Sequence, residues 1–293
     1  MNHYRFKRSF SDDPTLSPRL FLLLEAAFPG LGISNIAQHA RTLGAPWEGV
    51  STPFVRFEAD MAVTHVGVLE IPMVVMGQTV TVGGVHGVCT HPDFRRRGYF
   101  RQVMEEVLEY CASCYETLLL TTAQPEFYSS FGFRVVEEYA FVTKCTSTSH
   151  TNGFRVLNTQ DPDDLKLLHR LLSDREPVSN VVGVVNEKAV FCFNEGTRPL
   201  HYATDLNALA YMEIEGTRLK LFDLVGTQIC PLTAVVERIP QHLDEVVIYF
   251  SPDRLEANVQ AFPHVLDGDS LLMVRGSFAA EGQPFMLPRS ARC

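Results

Sequence analysis

No run of about 18 apolar residues occurs in the 293-residue sequence, which argues against a membrane-spanning helix. Basic residues are outnumbered, 25 Lys+Arg against 34 Asp+Glu for a net charge of −9. A protein that grips nucleic acid through its phosphates needs a basic surface, so no nucleic-acid partner is expected. The acidic excess suits a cationic acceptor as well as plain solubility. Only seven cysteines are present, scattered and odd in number. A disulfide framework is therefore not expected, and a reducing cytoplasm is the expected compartment. Arg5, Lys7 and Arg8 near the start are followed by no apolar core, which argues against a secretory leader. The ten histidines show no H-x-x-x-H or H-x-x-E-H spacing, so no metal is expected. Cys111-Ala112-Ser113-Cys114 has no second pair and falls at a helix end, where the dipole would not activate a thiol.

What is present is ordinary for a globular chain of about two domains, at 46% hydrophobic and 20% charged. Leu16–Phe28 is apolar at helical spacing and stops at Pro29-Gly30. A second helix is predicted over Asn35–Leu43, with Ser34 as N-cap. Phe54–Glu58 and Ala62–Val68 read as a hairpin. Met73–Met76 and Thr79–Cys89 read as a further pair of strands around Gly77-Gln78. Phe100, Val103, Met104, Val107, Leu108 and Cys111 mark one face of an amphipathic helix. Leu118–Leu120 reads as a buried central strand, then a short helix at Pro125–Phe131 and a strand over Phe133–Lys144. The polar stretch Thr146–Gly153 is the expected boundary, giving domains over 1–147 and 153–293.

The second part opens with a helix capped by Asp161-Pro162-Asp163. Strands are predicted at Ala189–Phe193, Ala208–Glu215, Leu219–Val225, Val246–Phe250 and Leu271–Val274, and helices near Pro231 and over Asp253–Ala261. This roughly repeats the first part, with the hairpin Ala208–Val225 mirroring Phe54–Val68. A duplicated α/β architecture is the expectation.

One segment is far more specific than the rest. Gly83–Thr90 reads as a strand, His91-Pro92-Asp93-Phe94 as a turn, and Arg95-Arg96-Arg97-Gly98 as a basic loop opening the amphipathic helix at Tyr99-Phe100-Arg101. Unpaired N–H groups and the helix dipole make such a terminus an anion site, and arginines add bidentate donors suited to phosphate. Gly98 lets the backbone approach a ligand closely. A pyrophosphate-binding turn is the physical reading.

Val88–Arg101 resembles motif A of the GNAT superfamily of N-acetyltransferases, whose loop reads Arg/Gln-x-x-Gly-x-Gly/Ala. Phe100 stands where that pattern has a small residue. With Arg101 after it, the segment is similar to the Eis-like two-domain branch. The resemblance implies a GNAT fold, a mixed central sheet flanked by helices. The second part would then be a GNAT-like domain lacking the CoA loop, since Gly226–Pro231 contains no arginine. It further implies acetyl-CoA as acyl donor, with the pantetheine along Val88, Cys89 and Thr90. Arg95, Arg96, Arg97, Gly98, Tyr99, Phe100 and Arg101 would hold the pyrophosphate, and Ala123 and Gln124 would touch the CoA tail.

Pro125–Phe133 contains Tyr128-Ser129-Ser130-Phe131-Gly132-Phe133 and resembles the Tyr-x-x-x-Gly-Phe that closes the GNAT core. Tyr128 is accordingly the expected general acid toward the departing thiolate. For the proton of the attacking amine, His86 is the first choice by position, with His65 and Glu70 behind it. In the Eis-like branch a terminal carboxylate does this, delivered by a sterol-carrier-like domain for which the sequence to Cys293 leaves no room. Glu213, Glu215 and Asp223 are the acids available to face a cationic acceptor, which would enter between the domains.

The expected function is thus direct acetyl transfer from acetyl-CoA to a small amine in a ternary complex. The alternatives are a non-catalytic acyl-CoA-binding or interaction protein, and a protein or peptide N-acetyltransferase. A homo-oligomer is compatible with the sequence.

Overall fold

The computed structural model describes residues 4–147 and 153–293, so the core of the expected boundary, residues 148–152, lies outside the described residues. In chain order the first part contains α1 (Leu16–Ala27), α2 (Ile33–Thr42), β1 (Ser51–Glu58), β2 (Met61–Val75), β3 (Gln78–Thr90), α3 (Tyr99–Ala112), β4 (Thr117–Thr122), α4 (Glu126–Ser129), β5 (Arg134–Val135) and β6 (Tyr139–Ser147). The second contains β7 (Arg155–Val156), α5 (Pro162–Ser173), β8 (Val182–Val184), α6 (Ala189–Glu195), β9 (His201–Ala203), β10 (Ala208–Glu215), β11 (Arg218–Gly226), α7 (Leu232–Val236), β12 (Leu243–Ile248), β13 (Gln260–Pro263) and β14 (Leu271–Gly276).

Two seven-stranded sheets result, β1-β2-β3-β4-β14-β5 with β8 beside β2, and β13-β6-β12-β11-β10-β9-β7. Each has a single parallel pair, β3 with β4 and β11 with β12. The sheets do not divide at the boundary expected from sequence. β14, near the end of the chain, lies between β4 and β5 of the first sheet. β6 leaves that sheet to sit between β12 and β13 of the second. The halves thus trade one strand each at the same place. The repeat is real in topology, but β10-β11-β12 corresponds to β2-β3-β4, so the hairpin Ala208–Val225 does not mirror Phe54–Val68.

The predicted strand Phe133–Lys144 is cut in two by this crossing. At the break, buried Glu138 accepts hydrogen bonds from Leu287 N at 2.9 Å and Arg292 Nη2 at 2.7 Å. The two strands expected across Ala62–Met76 are instead one, β2. Pro72 falls where β1 has ended and β8 has not begun, so its missing N–H interrupts no ladder. Ala189–Phe193 is helical, not extended, because the Glu187 carboxylate accepts from the N–H groups of Ala189, Val190 and Phe191 at 2.8–3.2 Å. A short apolar run buried on all sides carries no period to separate the two states. The helix expected over Asp253–Ala261 does not form. Asp253 binds Asn180 N and the Ser179 hydroxyl instead of a helix start, and Glu256 turns to φ 51°. Ser34 is not the cap of α2. Gly32 holds that position at φ 62°, and the Ser34 N–H donates to Glu25 at 2.8 Å.

α3 buries Val103, Met104, Val107 and Cys111 on one face of the first sheet, against Val66, Val85, Leu118 and Met273. On the other face, α1 and α2 cover one end, and α6 with the 278–293 segment covers the rest. These two coverings leave a cleft between them.

Candidate functional site

β3 pairs with β4 only at Gly83–Leu118 and Gly84–Leu119. Beyond that register the two strands diverge, and Val88, Cys89 and Thr90 have no β4 neighbour. The divergence follows from an extra residue in β3. His65 pairs with Cys89 but Gly67 pairs with His86, so Gly87 and Val88 together oppose Val66. Gly87 takes φ 56°, the left-handed value a glycine bulge requires. A Cβ there would stand 3.1 Å from the His65 ring.

At the open end of β3 the chain turns through Pro92–Phe94 and enters α3. Gly98, at φ 75°, is the N-cap and has nothing within 4 Å of a Cβ position. The first N–H groups of α3 therefore face open space. Arg95 Nε donates to Thr90 O at 3.3 Å and Arg97 Nη2 to Asp93 O at 3.1 Å, which folds both side chains back along the turn. Arg96 sits at φ 64° with its side chain exposed. Arg101 lies 5.4 Å from the Phe131 ring and 4.0 Å from Glu105. Tyr99 carries the Arg56 guanidinium over its ring at 3.6 Å. The bulk of Phe100 has a local reason, since its ring meets Tyr128 at 6.0 Å and Phe131 at 5.4 Å, edge to face. Ala123 and Gln124 are exposed past the end of β4, with Gln124 N donating to Thr122 at 3.0 Å.

Tyr128 is buried, with its ring also 6.2 Å from Phe133. Burial pushes its phenol up to about 12, the nearby Cys89 adds to this, and the Thr122 hydroxyl works against it. Burial likewise pushes the Cys89 thiol up to about 12, which leaves it no role as a thiolate.

The two histidines differ. His86 Nε2 shares a hydrogen bond with Ser51 Oγ at 2.8 Å, and the ring fills the space over Gly67 where a side chain would stand. His65 is fully buried and its Nδ1 lies 2.7 Å from the Gly87 carbonyl, so Nδ1 carries the proton. Its Nε2 is then an unprotonated acceptor with no partner among the described residues. Burial lowers His65 to about 4 and, with the neighbouring His65, His86 to about 3. Both rings are neutral at pH 7. Their folded pKa values lie below the ordinary 6.5, so each contributes stability above that value and loses it as pH falls through it. His86→Gln removes one such group. It should lower the proton uptake on unfolding at pH 5 by nearly one, flattening the stability slope by about 1.4 kcal/mol per pH unit. Urea titrations of both proteins between pH 5 and 6.5 measure this, and an unchanged slope contradicts the assignment.

Both histidines line a cavity of about 500 Å³ that also touches Thr121, Cys293, α1, α2 and α6. Cys293 lies in the fork between β3 and β4. Its main-chain oxygen accepts from Thr121 N at 2.9 Å and Thr121 Oγ1 at 2.6 Å. The acids expected to face an acceptor do not reach the cavity. Asp223 is buried against Arg175 at 2.9 Å, Glu213 accepts from Tyr211 at 2.7 Å, and Glu215 pairs with Lys220 at 2.6 Å. Glu70 lies on β2 with its side chain exposed. The sequence reading missed Thr121 and the arginines at 198, 289 and 292. The threonine pair Thr121-Thr122 after Leu118–Leu120 is the one hint it contained.

Residues 34–136 match the family model described as an acetyltransferase (GNAT) domain. No curated protein matches the chain. Among solved structures, a conserved protein of unknown function from Enterococcus faecalis is similar at TM-score 0.61 and 13% identity, over 94% of this chain and 72% of that one. Eis1 from Mycobacterium abscessus is similar at TM-score 0.56 and 13% identity, over 92% and 72%. A GCN5-related N-acetyltransferase from Kribbella flavida follows at TM-score 0.54 and 16% identity, over 89% and 68%. At such identities the likeness speaks for the fold, and it spans both halves. The diverging strands, the glycine-capped basic turn and the family match agree: residues 34–136 are similar to a GNAT acetyltransferase domain, and the two-sheet fold around them is similar to that of Eis1.

Proposed function

We propose that the protein transfers the acetyl group of acetyl-CoA directly to a small amine. The observation that carries this is the fork between β3 and β4, unpaired beyond Gly84 and holding Cys293 at its base, with the Arg-Gly turn at its mouth and Tyr128 beside it. Main-chain groups of Val88 and Cys89, and the Thr90 carbonyl once Arg95 Nε releases it, would bond the pantetheine as a further strand does. Arg96, Arg97, Arg101 and the α3 terminus would hold the pyrophosphate. A phenol kept protonated by burial donates a hydrogen bond to the sulfur as charge develops there.

In the reaction the amine nitrogen attacks the thioester carbon, the C–S bond breaks with its electron pair on sulfur, and the nitrogen loses a proton. We assign that proton to His65 Nε2, in place of the His86 expected from sequence, because Ser51 already occupies His86. An imidazole held near 4 keeps a proton only in passing, which suits a relay to water. Cytoplasmic residence accords with the free cysteines.

Saturating acetyl-CoA should raise the melting temperature. At about 100 times its Kd the stabilisation is about 2.7 kcal/mol. Arg96→Glu combined with Arg97→Glu should abolish the shift. The absence of a shift in the unaltered protein at millimolar acetyl-CoA would overturn the proposal.

A further inference from the structure

Side chains alternate along β1 between the two faces of the first sheet. Val55 and Phe57 pack with α1, and Phe54 packs under α3 with its ring 5.5 Å from Tyr110. Arg56 and Glu58 follow Phe54 on the α3 side and meet the first turn of that helix. The Arg56 side chain is only 15% exposed. Its guanidinium lies over the Tyr99 ring, donates to Gln102 Oε1 at 2.5 Å, and donates to Glu58 Oε1 at 2.8 Å. Glu58 is out of keeping with its place, since a carboxylate beside a turn that is to bind phosphate repels the ligand. Arg56 chiefly holds it below the usual carboxylate range, the Tyr99 hydroxyl adds to this, and Arg97 exerts a weaker pull. Glu58 is therefore ionised at pH 7 and within the field of Arg97, yet its bonds go to Arg56 and Tyr99. Arg97 donates to the Asp93 carbonyl, a neutral partner that leaves its charge to act on the turn. Without Arg56 the turn would lose one positive charge, and Glu58 would be free to neutralise Arg97.

We propose that Arg56 is a positioning residue for the acyl donor, holding Glu58 against the first turn of α3 and away from Arg97, so that Arg97 meets the pyrophosphate with its charge uncompensated. The inference rests on the acetyl-transfer reading of the same turn. Calorimetry of acetyl-CoA against the parent protein, Arg56→Gln and the double variant Arg56→Gln with Glu58→Gln tests it at two salt concentrations. At about 50 mM NaCl, Arg56→Gln should raise Kd about fivefold, the scale of one partly exposed ion pair. At about 500 mM the rise should fall below about twofold, because screening shortens the reach of the charge to a few ångström. The double variant restores the net charge and should bind within about twofold of the parent protein at either salt concentration. A loss of equal size at both salt concentrations overturns the inference, as does a double variant as weak as the single one. Either result would mark a side chain that only supports the fold. A parent protein that ignores acetyl-CoA overturns the acetyl-transfer reading and this inference with it. A parent protein that binds, beside an Arg56→Gln variant of unchanged Kd, overturns this inference alone.

Discussion

Tyr128→Phe should lower kcat by about 10²–10³-fold and leave the Kd for acetyl-CoA within about twofold. The substitution removes one oxygen and keeps the ring, so the edge-to-face contacts with Phe100 and Phe133 persist. In the proposed reaction, what is lost is a donor to a sulfur that becomes negative only as the C–S bond breaks. Interactions made only in the transition state act on kcat and not on cofactor affinity. Burial has raised this phenol to about 12, so it works first as a hydrogen-bond donor, and no falling limb from its ionisation should appear in the pH profile below that value. Rapid-quench turnover with an amine acceptor, alongside calorimetry of acetyl-CoA, measures both quantities. An unchanged kcat would remove Tyr128 from the chemistry.

Asp223→Ala should destabilise the fold by about 3–5 kcal/mol. Arg175 and Asp223 are 1% and 0% exposed and meet at 2.9 Å. The carboxylate also accepts from Leu224 N at 2.8 Å and from the Ser290 hydroxyl. Alanine strands a guanidinium whose Nε already has no partner among the described residues. Combining Asp223→Ala with Arg175→Met removes the stranded charge and should recover most of the loss. Urea unfolding of the single and double variants reads the difference. A single variant within about 1 kcal/mol of the parent protein would contradict the burial described here.

The segment from Val88 to Arg101 was legible because local chemistry determines it: a strand end, a glycine at positive φ and a helix start are decided within fourteen residues. α3 was legible for the same reason, its apolar face recurring at helical spacing. What stayed hidden depends on residues far apart in sequence. Nothing in Leu271–Val274 says that it pairs with Leu119 and Leu120 rather than with its own half. α6 was read as a strand because the Glu187 cap looks like any surface glutamate until its burial is seen. Our proposal of His65 in place of His86 turns on one hydroxyl the sequence could not place, since Ser51 is 35 residues from His86 along the chain. The Arg198 and Arg289 end of the cavity is assembled from α6, the loop after it and the last residues, which no spacing rule connects.

The traded strands also govern when the molecule can form. The slot between β4 and β5 stays vacant until residues 271–276 have been synthesised, some 150 positions after β4. Closing so long a loop is slow, because its entropy is lost before the pairing compensates. An emerging first half therefore presents open strand edges to its surroundings for much of its synthesis, a state prone to association with other chains. Final assembly should be a single late event in which both sheets close together, so the reactive fork exists only in the finished molecule.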